Sequence, residues 1–491
     1  MSYEFRVTEL AGEFNVHRNT IRNWINSGIL PAEKTAGRRY RVKKADYTRL
    51  CEKFGRKPLE HTSSEPDLEV LRAMTAGSSH PPFTLQTSSH PLYTNPALAD
   101  ICMGCGSCAG ACPISGIDSM DPRKLIRMAT LEMEKELITL DWPWKCTLCG
   151  RCQQACPVGV EIVELIRTLR STRKRTLVPG SIQLGVTTCL EQGNNIGIPK
   201  DDFLQVLHEL QEETKKYTGP DFSVPIDVRG SRLLVTVNSK IPFVEPENLQ
   251  WWWRIFYAAG ESWTIPADNW EAVNWGFFSG DDDAARTMVG RIVDNLERLS
   301  CQALLLPECG HAAHATITGL QRWFPEALKQ YTIYTSLDLL TEYIDTERIR
   351  INKGLCYDLT TYHDPCHYSR NHWITPDRDT AEQGRKITKI CCPNFIEMTP
   401  NRQDCYCCGA GGGTMATAFD AERIFHGRIK ARQIRETGAK IVVTSCPTCR
   451  DQLQAVLNRE FELDIKVRFP WQLISEALLP AEKQPGAEDG S

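Results

Sequence analysis

Apolar and polar positions change their spacing several times along this chain of 491 residues. Near the start, apolar positions recur at helical intervals over Thr8 to Asn15 and over His17 to Ser27. A hairpin follows, with Gly37 to Val42 as its returning strand. The pattern therefore predicts a small unit of two helices and a hairpin over residues 1–57.

Residues 58–94 are polar and rich in proline, which predicts a flexible linker. A cysteine-rich segment follows over residues 95–178, and its apolar positions return to a helical period. Within this segment, Asp121 and Pro122 supply an N-cap and a first-turn proline. We therefore predict a helical domain that carries the cysteines.

From residue 179 onward, short apolar runs alternate with helical stretches, which predicts α/β layers with largely parallel strands. The predicted strands are Leu233 to Val237, Ala303 to Leu306 and Ile441 to Thr444, and the clearest helices are Ala284 to Leu299 and Ala421 to Thr437. The whole chain is thus predicted to be a multidomain protein of α+β and α/β class.

One order of elements occurs twice in this region: a glycine, a helix, an apolar strand and a cysteine. The first copy runs from Gly276 to Cys309 and the second from Gly409 to Cys446. We therefore predict two tandem α/β halves, 179–330 and 331–479. A polar tail over 480–491 ends the sequence.

Charge and cysteine usage narrow the class of protein. Residues 1–57 carry a net charge of +7, although the whole chain carries −4, which suggests a separate basic module with its own partner. The sequence opens without an apolar signal segment, and no run of about 18 apolar residues predicts a transmembrane segment. Of the 21 cysteines, those clustered at metal-binding spacing are therefore expected to be thiolate ligands in a cytoplasmic protein, which could reach a membrane through a partner subunit.

Eight cysteines form two runs with the spacing C-x2-C-x2-C-x3-C-P. The runs are Cys102, Cys105, Cys108, Cys112 and Cys146, Cys149, Cys152, Cys156. This spacing is that of cubane iron–sulfur ligation, so we predict two [4Fe–4S] clusters that carry electrons one at a time. Because the fourth cysteine of one run can ligate the other cluster, Cys112 and Cys156 can be exchanged between the two sites.

A second constellation lies in the last third of the chain. Its members are Cys366, Cys407, Cys408, Cys446 and Cys449, and a glycine run follows the adjacent pair. Cys446 ends a predicted strand, where α/β sheets open a ligand crevice, and glycine lets backbone approach an inorganic core closely. Five sulfurs are one more than a cubane needs, whereas zinc would be satisfied by the last four alone.

Taken together, the twin runs and the C…CCG…CxxC set resemble heterodisulfide-reductase-like iron–sulfur proteins, over residues 95–475. The resemblance implies that the five later cysteines hold a noncubane [4Fe–4S] cluster and are catalytic, binding and splitting disulfide sulfur. It implies a disulfide or thiol substrate and partner redox subunits, either a flavoprotein or a membrane quinone or cytochrome subunit. An alternative is the iron–sulfur subunit of a glycolate- or lactate-type dehydrogenase.

The first α/β half departs from this pattern. It keeps Cys189 and Cys309, but residues 271–276 replace the adjacent cysteine pair, so we predict no second noncubane cluster. His311 and His314 can line a pocket, bind zinc or pack in the interior. Four further cysteines are expected to be buried or spare thiols, namely Cys51, Cys391, Cys392 and Cys405.

The basic first module resembles the excisionase/MerR-type winged helix-turn-helix, on Val7 to Ala11, Arg18 to Trp24, Gly28 to Pro31 and Gly37 to Arg41. The resemblance implies that the second helix enters a DNA groove. The candidate DNA contacts are Arg18, Asn19, Arg22, Arg38, Arg39, Arg41, Lys43 and Lys44. Two alternatives remain: a redox-responsive DNA-binding regulator, or a small apolar core with a solvated basic rim.

Overall fold

The computed structural model describes residues 4–6, 10, 14, 21, 24–34, 40–53, 101–307, 309–370 and 379–480. The chain divides into two compact units. The first comprises residues 1–107 and 155–161, and the second comprises residues 108–154 and 162–491. The predicted linker over 58–94 and nearly all of the predicted tail lie outside the described residues. The predicted domain boundaries remain predictions.

The first unit contains a three-stranded antiparallel sheet in the order β1-β3-β2, followed by helix α1. The strands are β1 (Glu4–Arg6), β2 (Glu33–Lys34) and β3 (Tyr40–Lys43), and α1 spans Lys44–Lys53. A small core closes the unit, formed by Leu10, Phe14, Ile21, Leu30, Val42, Tyr47, Leu50 and Cys51. The predicted hairpin is present as β2 and β3, and sequence reasoning missed β1 and α1.

The predicted helices of this unit lie largely outside the described residues, although Trp24, Ile25 and Asn26 are helical. Most of the candidate DNA contacts also lie outside them, and Lys43 forms an ion pair with Glu33. DNA contact by this unit therefore stays a prediction.

The helical part of the second unit carries five of the eight cysteines of the two runs: Cys108, Cys112, Cys146, Cys149 and Cys152. Its helices are α2 (Ser107–Ala111, which begins at the last residue of the first unit), α3 (Pro122–Thr130), α4 (Glu134–Leu137), α5 (Trp142–Lys145), α6 (Arg151–Gln154), α7 (Ile162–Thr172), α8 (Gly180–Gln192) and α9 (Lys200–Thr218). The Asp121 carboxylate accepts the Lys124 N–H at 2.9 Å, which is the predicted cap of α3.

The first α/β half contains a parallel sheet of four strands in the order β5-β4-β6-β7. The strands are β4 (Leu233–Val235), β5 (Trp263–Thr264), β6 (Ala303–Leu306) and β7 (Thr332–Thr335). The helices are α10 (Ile241–Val244), α11 (Glu247–Ala258), α12 (Trp275–Ser279), α13 (Asp282–Arg298), α14 (Gly310–Trp323), α15 (Pro325–Gln330) and α16 (Ser336–Asp345).

The second half contains a parallel sheet in the order β10-β9-β8. The strands are β8 (Thr360–Tyr362), β9 (Ile441–Val443) and β10 (Lys466–Arg468). The helices are α17 (Cys366–Ser369), α18 (Thr380–Cys391), α19 (Asp420–Thr437), α20 (Pro447–Asp451), a π-helical turn (Gln452–Leu457), α21 (Asn458–Glu460) and α22 (Pro470–Ala477). The predicted parallel α/β layers are confirmed.

Side chains from both halves form one large core among the described residues, which includes Trp252, Trp253, Trp263 and Trp270. These large rings bury apolar area and stabilise the packing of α11 on the sheet. Among the described helices, none combines the length and apolar character that a bilayer span requires.

Candidate functional site

The cysteines of the second half meet at the carboxyl edge of its sheet. Cys366 comes four residues after β8 and Cys446 three residues after β9, and these two strands are parallel neighbours. Cys449 lies one helical turn beyond Cys446 on α20, and the loop before α19 carries Cys407 and Cys408. All five side chains are at most 4% exposed. The edge is therefore a buried pocket of thiols, which we call the CCG site.

The five sulfurs of the CCG site contact one another. Cys366 Sγ lies 3.8 Å from Cys407 Sγ, and Cys408 Sγ lies 3.3 Å from Cys449 Sγ. Hydrogen bonds from the Cys149, Cys366 and Cys408 thiols lower the pKa of Cys407 well below its usual value. Cys407 thus favours the thiolate, which is the form that binds metal. Hydrogen bonds to neighbouring sulfurs, together with burial, raise the pKa values of Cys366, Cys408 and Cys449 well above the usual value.

Two buried histidines next to these sulfurs test whether the site suits a metal group. Among the described residues, neither ring nitrogen of His363 or of His426 has a hydrogen-bond partner, although both side chains are at most 2% exposed. His363 offers a nitrogen within 4.8 Å of the Cys408 and Cys449 sulfurs. Leaving buried polar atoms unsatisfied costs about 1–3 kcal/mol each. The donor set of thiols and imidazoles therefore fits a soft metal or an iron–sulfur group.

The second cysteine run packs directly against the CCG site. Besides the Cys149 hydrogen bond, Cys407 Sγ lies 3.6 Å from Thr147 Oγ1. A Cβ on Gly411 would lie 2.9 Å from Thr147 O, and one on Gly412 would lie 2.7 Å from the Thr147 carbonyl carbon. The glycine run therefore lets two protein segments approach. Close approach of this run to an inorganic core stays a prediction.

Two arginines join these segments through carbonyl groups. Arg170 is fully buried and donates to Cys146 O at 2.7 Å and to Gly412 O at 2.9 Å, as well as to Pro143 O and Phe278 O. Burial lowers the pKa of Arg170 to about 10, which leaves the guanidinium charged near neutral pH. Arg370 donates to Cys149 O at 2.7 Å and to Cys405 O at 2.6 Å.

Replacing Arg170 by lysine should destabilise the folded protein by at least about 3 kcal/mol. The ammonium group cannot reach all of these carbonyls, and each hydrogen bond to a charged group contributes about 1.5–3 kcal/mol. Denaturation followed by tryptophan fluorescence measures the change, with the exposed Arg123→Lys as the matched control. Equal stabilities of the two variants would contradict the bridging role.

Cysteines of the two ferredoxin runs are divided between the two units. In the second unit, Cys112, Cys146, Cys149 and Cys152 line one pocket. Burial raises the pKa of Cys112 to about 12, and the nearby Cys146 contributes to this rise. In the first unit, Cys102 and Cys156 are half-buried and Cys105 is exposed. The placement of Cys112 beside the second run agrees with the exchange of fourth ligands that the sequence allows.

In the first half, hydrogen-bonding side chains occupy positions equivalent to lost thiols. Ser239 follows β4 at the same interval at which Cys366 follows β8. Its hydroxyl donates to the Glu271 carboxylate at 2.8 Å, and that carboxylate also accepts the Asn195 N–H at 2.6 Å and faces the Cys189 thiol at 3.7 Å. The described residues of this half do not gather four cysteines, as the sequence predicted.

Cys309, from the first half, contacts the CCG site. It follows β6 at the interval at which Cys446 follows β9, and its thiol hydrogen-bonds to Cys446, lowering the Cys446 pKa. His311 accepts the Gly412 N–H at 3.0 Å, and His314 Nδ1 lies 2.8 Å from His367 Nδ1. Both imidazoles are buried and form hydrogen-bonding contacts, and zinc binding by them stays a prediction.

Sequence reasoning missed the polar side chains that complete the site. These are Thr147, Arg170, Arg370 and Lys430, together with His363 and His426. His363 was visible in the His-Asp-Pro-Cys motif. No signal distinguishes a buried arginine or lysine from the many that lie on a surface.

Three family models match the chain. A cysteine-rich CCG domain matches residues 360–454, a 4Fe-4S dicluster domain matches residues 98–160, and a helix-turn-helix domain matches residues 4–46. The chain is therefore an iron–sulfur protein in which a dicluster domain precedes a CCG domain and a helix-turn-helix domain precedes both. These are the domains of an electron-transfer protein, as predicted.

Similar proteins include iron–sulfur subunits of oxidoreductases. The chain is 24% identical to the second iron–sulfur subunit of the Hdr-like menaquinol oxidoreductase of Archaeoglobus fulgidus, over 77% of this chain and 80% of the relative. It is 24% identical to one subunit of the dihydromethanophenazine:CoB–CoM heterodisulfide reductase of Methanosarcina barkeri, over 77% and 94%. A subunit of the fumarate reductase (CoM/CoB) of Methanothermobacter marburgensis is also 24% identical, over 77% and 72%.

The predicted resemblance to heterodisulfide-reductase-like iron–sulfur proteins is thereby confirmed. These relatives are subunits of oxidoreductases, which supports an oxidoreductase role for this chain.

Proposed function

We propose that this chain is the iron–sulfur subunit of a heterodisulfide-reductase-like complex and that the CCG site reduces or forms a disulfide. The observation that carries the proposal is the contact of the second cysteine run with the CCG site. Cys149 hydrogen-bonds to Cys407, and Arg170 joins Cys146 to Gly412. A one-electron relay and a site for sulfur chemistry would thus be in direct contact.

The residues that would hold the groups follow from the cysteine patterns. The two ferredoxin runs would bind two [4Fe–4S] clusters, with Cys112 joining Cys146, Cys149 and Cys152. The five cysteines of the CCG site would bind a noncubane [4Fe–4S] cluster, for which zinc is the alternative. When bound, these groups supply single-electron transfer and an iron centre that takes up disulfide sulfur.

Around that centre, the chain supplies a closed pocket. The five thiols are almost fully buried, so the site excludes bulk water and keeps reactive sulfur from side reactions. The thiol of Cys309 hydrogen-bonds to Cys446 and orients that side chain. The His311 ring accepts the Gly412 N–H and orients the glycine loop that follows Cys408. Orientation of ligands by such neighbours tunes the metal centre that they hold.

Partners would supply the entry or exit of electron pairs. The relatives are subunits named for menaquinol and for the CoB–CoM heterodisulfide, so we propose a quinone-linked or flavoprotein partner and a disulfide or thiol substrate. A glycolate- or lactate-type dehydrogenase subunit remains the alternative, and the subunits that copurify with the chain would distinguish the two. DNA binding by the first unit is a separate prediction, which salt-sensitive binding to a specific duplex would test.

An iron count with EPR tests the proposal. Anaerobically purified protein should contain about 12 iron atoms per chain by ligand arithmetic. After oxidation, addition of a thiol should produce a paramagnetic signal that is absent without it, because sulfur chemistry at the CCG site requires thiol binding there. About 8 iron atoms with one zinc, and no thiol-dependent signal, would reduce the chain to an electron relay.

A further inference from the structure

Two buried cations beside the CCG site have no carboxylate partner among the described residues. Arg370 and Lys430 are 3% and 1% exposed. The Arg370 guanidinium donates to carbonyl oxygens and to Cys405 Sγ at 3.2 Å, and its Nη2 has no partner. Lys430 Nζ has one hydrogen-bonding contact, with Met398 Sδ at 3.7 Å.

The acidic groups nearby are already engaged. Asp364 faces Lys430, but its two oxygens accept from Arg385 at 2.6 and 2.9 Å, and one also accepts the Arg402 N–H. Glu397 binds the same Arg385 guanidinium through both of its oxygens. Asp364 and Glu397 together carry one negative charge more than Arg385 neutralises, but neither forms an ion pair with Lys430 or Arg370 in the described part of the protein.

An unpaired buried cation is costly, so its persistence indicates an anionic group that the side chains alone do not provide. Both cations act on the same sulfurs. Each lies close enough to Cys405 and Cys407 to interact electrostatically with them, and Arg370 also interacts with Cys149 and Cys366. A metal centre with several thiolate ligands carries the required negative charge.

We propose that Arg370 and Lys430 are the counter-charges of the CCG metal centre, stabilising its thiolate ligands and raising its midpoint potential. The inference rests on the proposed function, in which the five cysteines hold that centre. Net charge and hydrogen bonds to sulfur set the potentials of such centres. The cation pair would therefore make the CCG site a stronger electron acceptor than the same cysteines would form without it.

The test removes one charge and keeps the volume. In Lys430→Met, the midpoint potential of the thiol-dependent CCG-site signal should move to lower values in an EPR-monitored redox titration. The midpoint potentials of the ferredoxin clusters in the same sample should move less. The iron content of these clusters shows whether the variant is correctly folded. Lys430→Arg keeps the charge and should restore a potential close to that of the unmodified protein.

The matched control lies on the same helix. Arg432 on α19 is 67% exposed, so Arg432→Met removes an equal charge where solvent screens it and should leave the CCG-site potential unchanged. A potential that is the same in Lys430→Met as in the control, at full iron occupancy, would overturn the inference.

Failure of the proposed function would look different. If the unmodified protein holds zinc at the CCG site and shows no thiol-dependent signal, the noncubane cluster is excluded but the charge argument still applies. Lys430→Met should then lose that zinc to an added chelator faster than Arg432→Met does. Equal rates of zinc loss would overturn the counter-charge inference as well.

Discussion

Replacing Cys408 by alanine should lower the iron content from about 12 to about 8 atoms per chain and abolish the thiol-dependent EPR signal. Cys408 Sγ lies 3.3 Å from Cys449 Sγ and within 4.8 Å of a His363 nitrogen that has no hydrogen-bond partner among the described residues. Its loss therefore removes a central ligand from the set of thiols and imidazoles that would hold the metal group. The ferredoxin clusters should remain, because Cys408 is not part of either run.

The matched control is another buried cysteine at a distance from the site. Cys391 is fully buried at the end of α18, in the core that lies against the other side of β8. Cys391→Ala removes the same atom and should keep all of the iron and the signal. An iron content that stays near 12 in Cys408→Ala would mean that another sulfur, of which Cys309 is the best placed, replaces Cys408 as a ligand.

The fold was predictable where a local pattern was long enough. The helix over 421–437 and the strand over 303–306 appear within one residue of their predicted limits. Gly438 ends the helix, and the strand is an unbroken apolar run, so both can be recognised locally. Strands β5 and β8 were missed, since runs of two and three residues show no periodicity. Their positions depend on pairing with strands that are distant in sequence.

The candidate site was predictable only as a list of thiols. The resemblance of the C…CCG…CxxC set to a known family identified the five cysteines of the CCG site. It could not show that Cys309 from the other half reaches Cys446, or that Arg170 is buried. The contacts of Cys309 with Cys446 and of Arg170 with Phe278 and Gly412 join segments more than a hundred residues apart in the sequence. The sequence alone also does not distinguish a buried arginine from an exposed one.

The junction between the second cysteine run and the CCG loop gives the second large expected effect. Gly412→Ala should slow the reduction of the CCG site by the ferredoxin part of the chain while leaving the iron content nearly unchanged. Gly412 has a φ of +62°, and an added Cβ would lie 2.7 Å from the Thr147 carbonyl carbon and 2.8 Å from Cys146 O. Both obstacles are backbone, so the two segments must separate.

Gly438→Ala isolates this effect from the cost of the backbone conformation. Gly438 follows α19 with a φ of +68°, and nothing lies within 4 Å of its added Cβ. Both variants should therefore lose about 1–2 kcal/mol of stability from the left-handed conformation. Only Gly412→Ala adds a steric clash at the junction.

The measurement is the rate at which the CCG-site signal appears after rapid reduction of the ferredoxin clusters, in freeze-quenched EPR samples. Gly412→Ala should be slower than both Gly438→Ala and the unmodified protein, because transfer depends on the close approach of Cys149 to Cys407. Identical rates in the two glycine variants would show that electrons reach the CCG site by a route that does not cross this junction. The contact on which the proposed function rests would then be structural alone.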